Sequence, residues 1–119
     1  GVEGAIRVRA PYMLLEACDG EEDGRARLMR LAFGLWGQDP PLCGAFSGAE
    51  LGMALGRDRV IHACLLEERL ARACAAEIGR LSGFRAIVPS SWPPSWRNRR
   101  LGPSDEGARD GPASFEPDA

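Results

Sequence analysis

The sequence predicts an all-α fold: a small helical bundle containing a helix-turn-helix, followed by a proline-rich irregular tail. Three observations lead there. Alanine, leucine, arginine and glutamate dominate residues 1–83, with few β-branched residues and no alternation of apolar and polar positions. Ser47 and Glu50 have the spacing of a capping box, and Gly56 and Asp58 come after them as a stop and a new start. Beyond residue 83 the prolines crowd together: six of the nine lie at 89, 93, 94, 103, 112 and 117. Each proline removes a backbone donor and pushes its predecessor out of helical geometry. The domain division expected is therefore a helical domain over 1–83, with the helix-turn-helix at about 48–82, and a largely irregular tail over 84–119.

Pro11 suits the first turn of a helix running to about Cys18, with residues 5–10 forming an earlier turn. Residues 19–24 make an acidic loop bounded by glycines. A second helix is expected over about 25–36, where Leu28, Leu31, Ala32 and Leu35 give one apolar face, Asp23 serves as cap and Trp36 turns to the core. Residues 37–46 form a loop stiffened by Pro40 and Pro41. Ser47 then opens a short helix over 48–55, which Gly56 ends. A longer helix starts at Asp58 and meets no breaker before Gly79 or Gly83; its stripe Leu66, Leu70, Cys74, Ile78 and Leu81 packs inward. In the tail, residues 84–100 carry four arginines and no acid, whereas 101–119 carry one arginine and five acids. The run Trp92-Pro93-Pro94-Ser95-Trp96-Arg97 has two readings. One or both tryptophans fold back over apolar surface, or they form an aromatic and arginine patch for a nucleic-acid backbone or a partner's groove.

Composition narrows the function classes. With 45% hydrophobic and 27% charged residues the chain reads as a soluble globular one. A formal charge of −2 excludes binding nucleic acid by bulk positive charge. No apolar run approaches the roughly 18 residues of a membrane helix. Nothing at the start reads as a secretory signal, so a cytoplasmic location is expected. Every basic side chain is arginine, which still permits two-pronged contacts to phosphate or carboxylate. Cys18, Cys43, Cys64 and Cys74 contain no C-x-x-C pair and read as small core hydrophobes. His62 and Cys64, two apart on a helix, would point to different sides, so no metal is expected there.

The string Glu50-Leu51-Gly52-Met53-Ala54-Leu55-Gly56-Arg57-Asp58, followed by Val60-Ile61-His62-Ala63-Cys64, resembles the signature of the C-terminal DNA-binding domain of the bacterial chromosomal replication initiator, DnaA. Stand-alone helix-turn-helix proteins of that type are similar as well. The resemblance implies that Arg57 and Asp58 sit at the entry to a recognition helix with His62 along it. It also implies that Arg25, Arg27 and Arg30 hold phosphates while the recognition helix reads bases. Where the family has His-Thr-Thr before the valine, this chain has Arg59 alone, which is suited to guanine O6 and N7. Two missing residues amount to about half a helical turn, and Met53 replaces a usual arginine.

These observations lead to the expectation of a double-stranded DNA-binding protein, a small transcriptional or replication regulator. The alternative is a non-catalytic protein-interaction module on the same bundle with its reading head eroded, gripping a partner through the last helix or the Trp92–Trp96 tail. His62 is either a DNA-backbone contact or a half-buried residue bonded to a neighbouring backbone oxygen. No enzyme is expected: there is no phosphate-binding loop, only one histidine and no nucleophile with a recognisable base. The carboxylates of Glu21, Glu22, Asp23, Glu67 and Glu68 read as solvated. No cofactor or small-molecule substrate is evident.

Overall fold

Residues 13–16 and 62–65 have helix-tolerant compositions, yet they form strands, because each is covered on both faces. The computed structural model describes residues 1–81, 86–98 and 115–118. The described elements are α1 (Val2–Val8), β1 (Met13–Glu16), α2 (Glu22–Trp36), β2 (Leu42–Cys43), α3 (Gly48–Leu55), β3 (His62–Leu65), α4 (Glu68–Leu81), a 3-10 turn over Pro94–Asn98 and β4 (Phe115–Asp118). The strands make one sheet in the order β2-β1-β3-β4. β1 and β2 run parallel, joined by α2 as a crossover, while β3 is antiparallel to both β1 and β4. The fold is therefore α/β, not the all-α bundle the sequence predicts.

Each face of the sheet has its own core. Leu14, Leu42 and Cys64 pack with Val2 and Ile6 of α1, Leu28, Met29 and Ala32 of α2, and Trp92. Met13, Leu15, Cys43, Ala63 and Leu65 face the other way, onto Leu51 of α3 and Ala71 and Ile78 of α4. A strand buried on both sides carries no apolar–polar alternation, so the periodicity that marks half-buried strands is absent from the sequence. The expected helix over residues 11–18 is thus replaced by a strand, with the first helix displaced upstream to 2–8.

The local signals around α3 are realised. Ser47 accepts from the Glu50 amide at 3.1 Å, and the Glu50 carboxylate accepts from the Ser47 amide at 2.9 Å. Gly56, at φ 73°, closes α3 in the left-handed region. The helix expected from Asp58 does not form. Instead the chain doubles back along α3, with the Arg57 amide donating to the Gly52 carbonyl (2.7 Å) and the Val60 amide to the Gly48 carbonyl (3.0 Å). It then enters β3, and α4 begins only at Glu68. There is accordingly no helix-turn-helix over 48–82: the stretch expected to lead a recognition helix is a loop and an inner strand. α2 matches its expected extent closely, although its N-cap is Glu21 rather than Asp23. Trp36 is 40% exposed instead of core, with its indole N–H donating to the Ile6 carbonyl at 2.9 Å.

The segment expected as tail contributes structure. Trp92 is buried, and β4 completes the sheet. The parts of that tail at 82–85, 99–114 and 119 lie outside the described residues.

The reversal after α3 depends on Gly52, where a Cβ would lie 2.7 Å from the Asp58 carbonyl and 2.8 Å from that of Arg57. Both obstructions are backbone. Gly52→Ala should therefore lower unfolding stability by about 1–3 kcal/mol. Gly34→Ala, in the interior of α2 with nothing within 4 Å of its added methyl, should raise it by about 0.5–1 kcal/mol. Urea titrations of the two variants check both signs.

Candidate functional site: a charged row in the sheet and an apolar groove

The register places Glu16 opposite His62 and His62 opposite Asp118, so three ionisable residues lie in one row across β1, β3 and β4. Glu16 is 1% exposed. Its Oε1 lies 2.5 Å from His62 Nδ1, and its Oε2 is buried without a hydrogen-bond partner. Asp118 joins the row to the start of α1, where its Oδ2 accepts from the Val2 amide at 3.1 Å. The row faces α2: Gly24 lies against the His62 ring, where a Cβ would come within 3.3 Å of Nε2.

The environment shifts both members of the inner pair. Burial raises the Glu16 carboxyl above its ordinary value, only partly opposed by the hydrogen bond and charge of His62 and by the charge of Arg25. Burial depresses His62, but the Glu16 hydrogen bond and the charges of Glu16 and Asp118 outweigh that and raise it overall. The pair therefore holds a proton more tightly than the separated groups would.

Arg25 is buried. Its guanidinium carbon sits 4.2 Å from the centre of the Trp92 ring, and its Nη1 donates to the Gly20 carbonyl at 3.1 Å. Trp92 is 4% exposed and meets Trp96 edge-on at 5.9 Å. A Cβ at Gly44 would come within 2.3 Å of the Trp92 ring, so this position admits no side chain. The fold-back reading of the tryptophans describes Trp92.

Trp96 helps form a groove. Met29, Arg30 and Phe33 of α2 make one wall, and Pro93, Ser95 and Trp96 make the other, around a volume of about 520 Å³ open to solvent. Asp39 lines it as well. Phe33 is 54% exposed.

Of the residues expected to bind DNA, Arg25 and His62 lie near each other, while the others are engaged or exposed separately. Arg25 lies under Trp92, Arg27 pairs with Glu3 at 2.8 Å and Arg59 approaches Asp19 at 3.9 Å. His62 belongs to the charged row. Arg57 and Asp58 are exposed on the loop before β3, and Arg30 lies in the groove wall. The spacing argument about His62 and Cys64 also changes, since residues two apart on a strand share a face. Among the described residues no three histidine, cysteine or acidic side chains cluster as metal ligands. Burial pushes the Cys43 thiol up to about 11 and raises Cys74 as well, so neither is a ready nucleophile.

Sequence reasoning missed Glu16, Asp118 and Phe33. Glu16 did carry a signal: it is a lone acid inside the apolar run 13–17. Asp118 had none, because its role comes from pairing across more than fifty residues of chain.

Compared with known protein families, curated proteins and solved structures, the chain finds no match. Among the described residues no helix is long and apolar enough to cross a membrane.

Removing one member of a buried ion pair strands the other, whereas replacing both with apolar groups does not. His62→Ala should therefore cost about 3 kcal/mol near neutral pH, and Glu16→Leu combined with His62→Leu should cost distinctly less. Comparing the three unfolding free energies by urea titration checks the ordering.

Proposed function

We propose that this protein is a non-catalytic interaction module which holds a short segment of a partner protein in the groove between α2 and Trp96. The observation that carries this reading is Phe33, a large apolar side chain 54% exposed in the wall of a concave site. Apolar surface left in water costs roughly 25 cal/mol per Å², which an occupant recovers. The groove's size falls in the range of concave ligand sites, about 300–1,000 Å³. Its openness suits a chain that passes through it.

Arg30 gives the occupant its chemistry. It is exposed in the groove wall and makes no ion pair or hydrogen bond among the described residues, unlike Arg25 and Arg27 on the same helix. A free guanidinium beside an aromatic surface fits a carboxylate with two parallel hydrogen bonds. The partner segment therefore carries an aromatic or aliphatic anchor next to an Asp or Glu. That none of the four cysteines is in a disulfide supports a reducing, cytoplasmic setting. The duplex-DNA expectation rested on a recognition helix, and residues 57–65 supply a loop and a strand instead.

A phage-displayed random peptide library panned against the full chain tests this. Enriched peptides should share an apolar anchor within two positions of an acid. Phe33→Asp should abolish their binding, and Arg30→Glu should weaken it roughly tenfold, about 1.4 kcal/mol. Failure to enrich, or enrichment indifferent to Phe33→Asp, would overturn the proposal. So would a self-association that Phe33→Asp removes, which would assign the groove to a second copy. A gel shift of duplex DNA insensitive to that substitution would likewise point to a different function.

A further inference from the structure

The row Glu16–His62–Asp118 does more than bury charge. It ties the C-terminal strand to the first helix and to the middle of the sheet. β4 is held by its ladder to β3, by the Ile61 amide donating to the Asp118 carbonyl (2.6 Å), and by the Val2 amide donating to Asp118 Oδ2 (3.1 Å). Among the charged groups acting on His62, Glu16 comes from β1, Asp118 from β4 and Arg25 from α2. With His62 charged, two carboxylates are balanced by an imidazolium and a guanidinium. With His62 neutral, the two carboxylates of the row lose the imidazolium between them, Arg25 remains the cationic side chain acting on both His62 and Glu16, and Glu16 already has one buried oxygen without a partner. Arg25 is also engaged with Trp92 and the Gly20 carbonyl.

We propose that this row is a proton-operated latch: an imidazolium at His62 holds β4 on the sheet edge, and its loss releases the strand. The sign comes from linkage. A histidine held above its ordinary value by folded-state partners contributes stability that is fully present below the unfolded value. That contribution disappears as pH rises through the folded value. β4 thus docks at lower pH and loosens at higher pH. Within the latch Glu16 sets the histidine's proton affinity, and Asp118 converts the histidine's charge into attachment of the strand. This inference is independent of the groove.

His62 is the only histidine in the chain, so its ring resonance reports its charge without ambiguity. The experiment tracks that resonance in the full chain by NMR from about pH 5.5 to about pH 9, the range in which a raised histidine titrates. Amide exchange is measured alongside as protection factors, which remove intrinsic base catalysis. Protection of the Ile61 amide should fall about tenfold for each pH unit by which docking of β4 raises the histidine, and should level off just above the midpoint of the ring titration. The Leu14 amide should change far less. Asp118→Asn, which keeps a hydrogen-bond acceptor and removes the charge, should make Ile61 protection nearly independent of pH and lower the His62 midpoint. His62→Gln should also flatten the profile. Three outcomes overturn the latch: a titrating ring with flat Ile61 protection, parallel loss at Ile61 and Leu14, or an Asp118→Asn profile like that of the parent. Because Asp118→Asn leaves the Glu16–His62 pair intact, failure of His62→Gln to fold leaves the test in place.

Discussion

Sealing a carboxylate inside a sheet is costly unless a cation or a proton comes with it, and Glu16 is sealed to 1% exposure. Its partner, His62, arrives from a strand forty-six residues away. The pairing also specifies register. Sliding β3 along β1 by one residue would turn its side chains to the opposite face, and sliding by two would set Glu16 against Cys64. Once the register of β1 and β3 is fixed, the rest of the sheet has its positions. β2 must return parallel to β1 through the α2 crossover, and the loop after α3 must deliver its chain to Val60 at the right height.

α2 shows how one helix can serve two surfaces. Its inner side supplies Leu28, Met29 and Ala32 to the core and presents Gly24 to the histidine ring. Its three arginines, close together in sequence, part company in space. Arg25 turns inward beneath Trp92, Arg27 reaches across to Glu3 on α1, and Arg30 remains at the groove. Treating 25, 27 and 30 as a single basic face ignores the hundred degrees or so by which a helix rotates each successive side chain. It is that rotation which leaves one guanidinium available and commits the other two to holding the fold.

What the sequence disclosed was whatever is settled locally. The capping box at Ser47 and the stop at Gly56 act over a few residues and are present as read; the apolar face of α2 holds at Leu28 and Ala32, whereas Leu35 is exposed. The strands were hidden because their stability is entirely non-local. Met13-Leu14-Leu15 and Ala63-Cys64-Leu65 are apolar at every position, since helices cover both sides of the sheet. A helical stripe starting at Leu66 further disguised β3 as the front of α4. The initiator-like string between Glu50 and Cys64 compounded this, because its second half falls on the reversal and the strand. Of the candidate site, His62 and Arg30 were legible as residues of interest, while their partners required the sheet to be known.

The two margins of the sheet share a property that matters for the chain's life in a crowded solution. β2 is only two residues long and is preceded by Pro40 and Pro41, and the Gly44 amide just beyond it is taken by the Ile87 carbonyl. β4, on the far margin, carries Pro117 within its four residues. An intruding strand would meet proline rings at both borders where it needs flat backbone and donating amides. The molecule is in this way poorly suited to seed end-to-end polymers, despite a sheet whose central strands are as apolar as those of many fibril-forming segments.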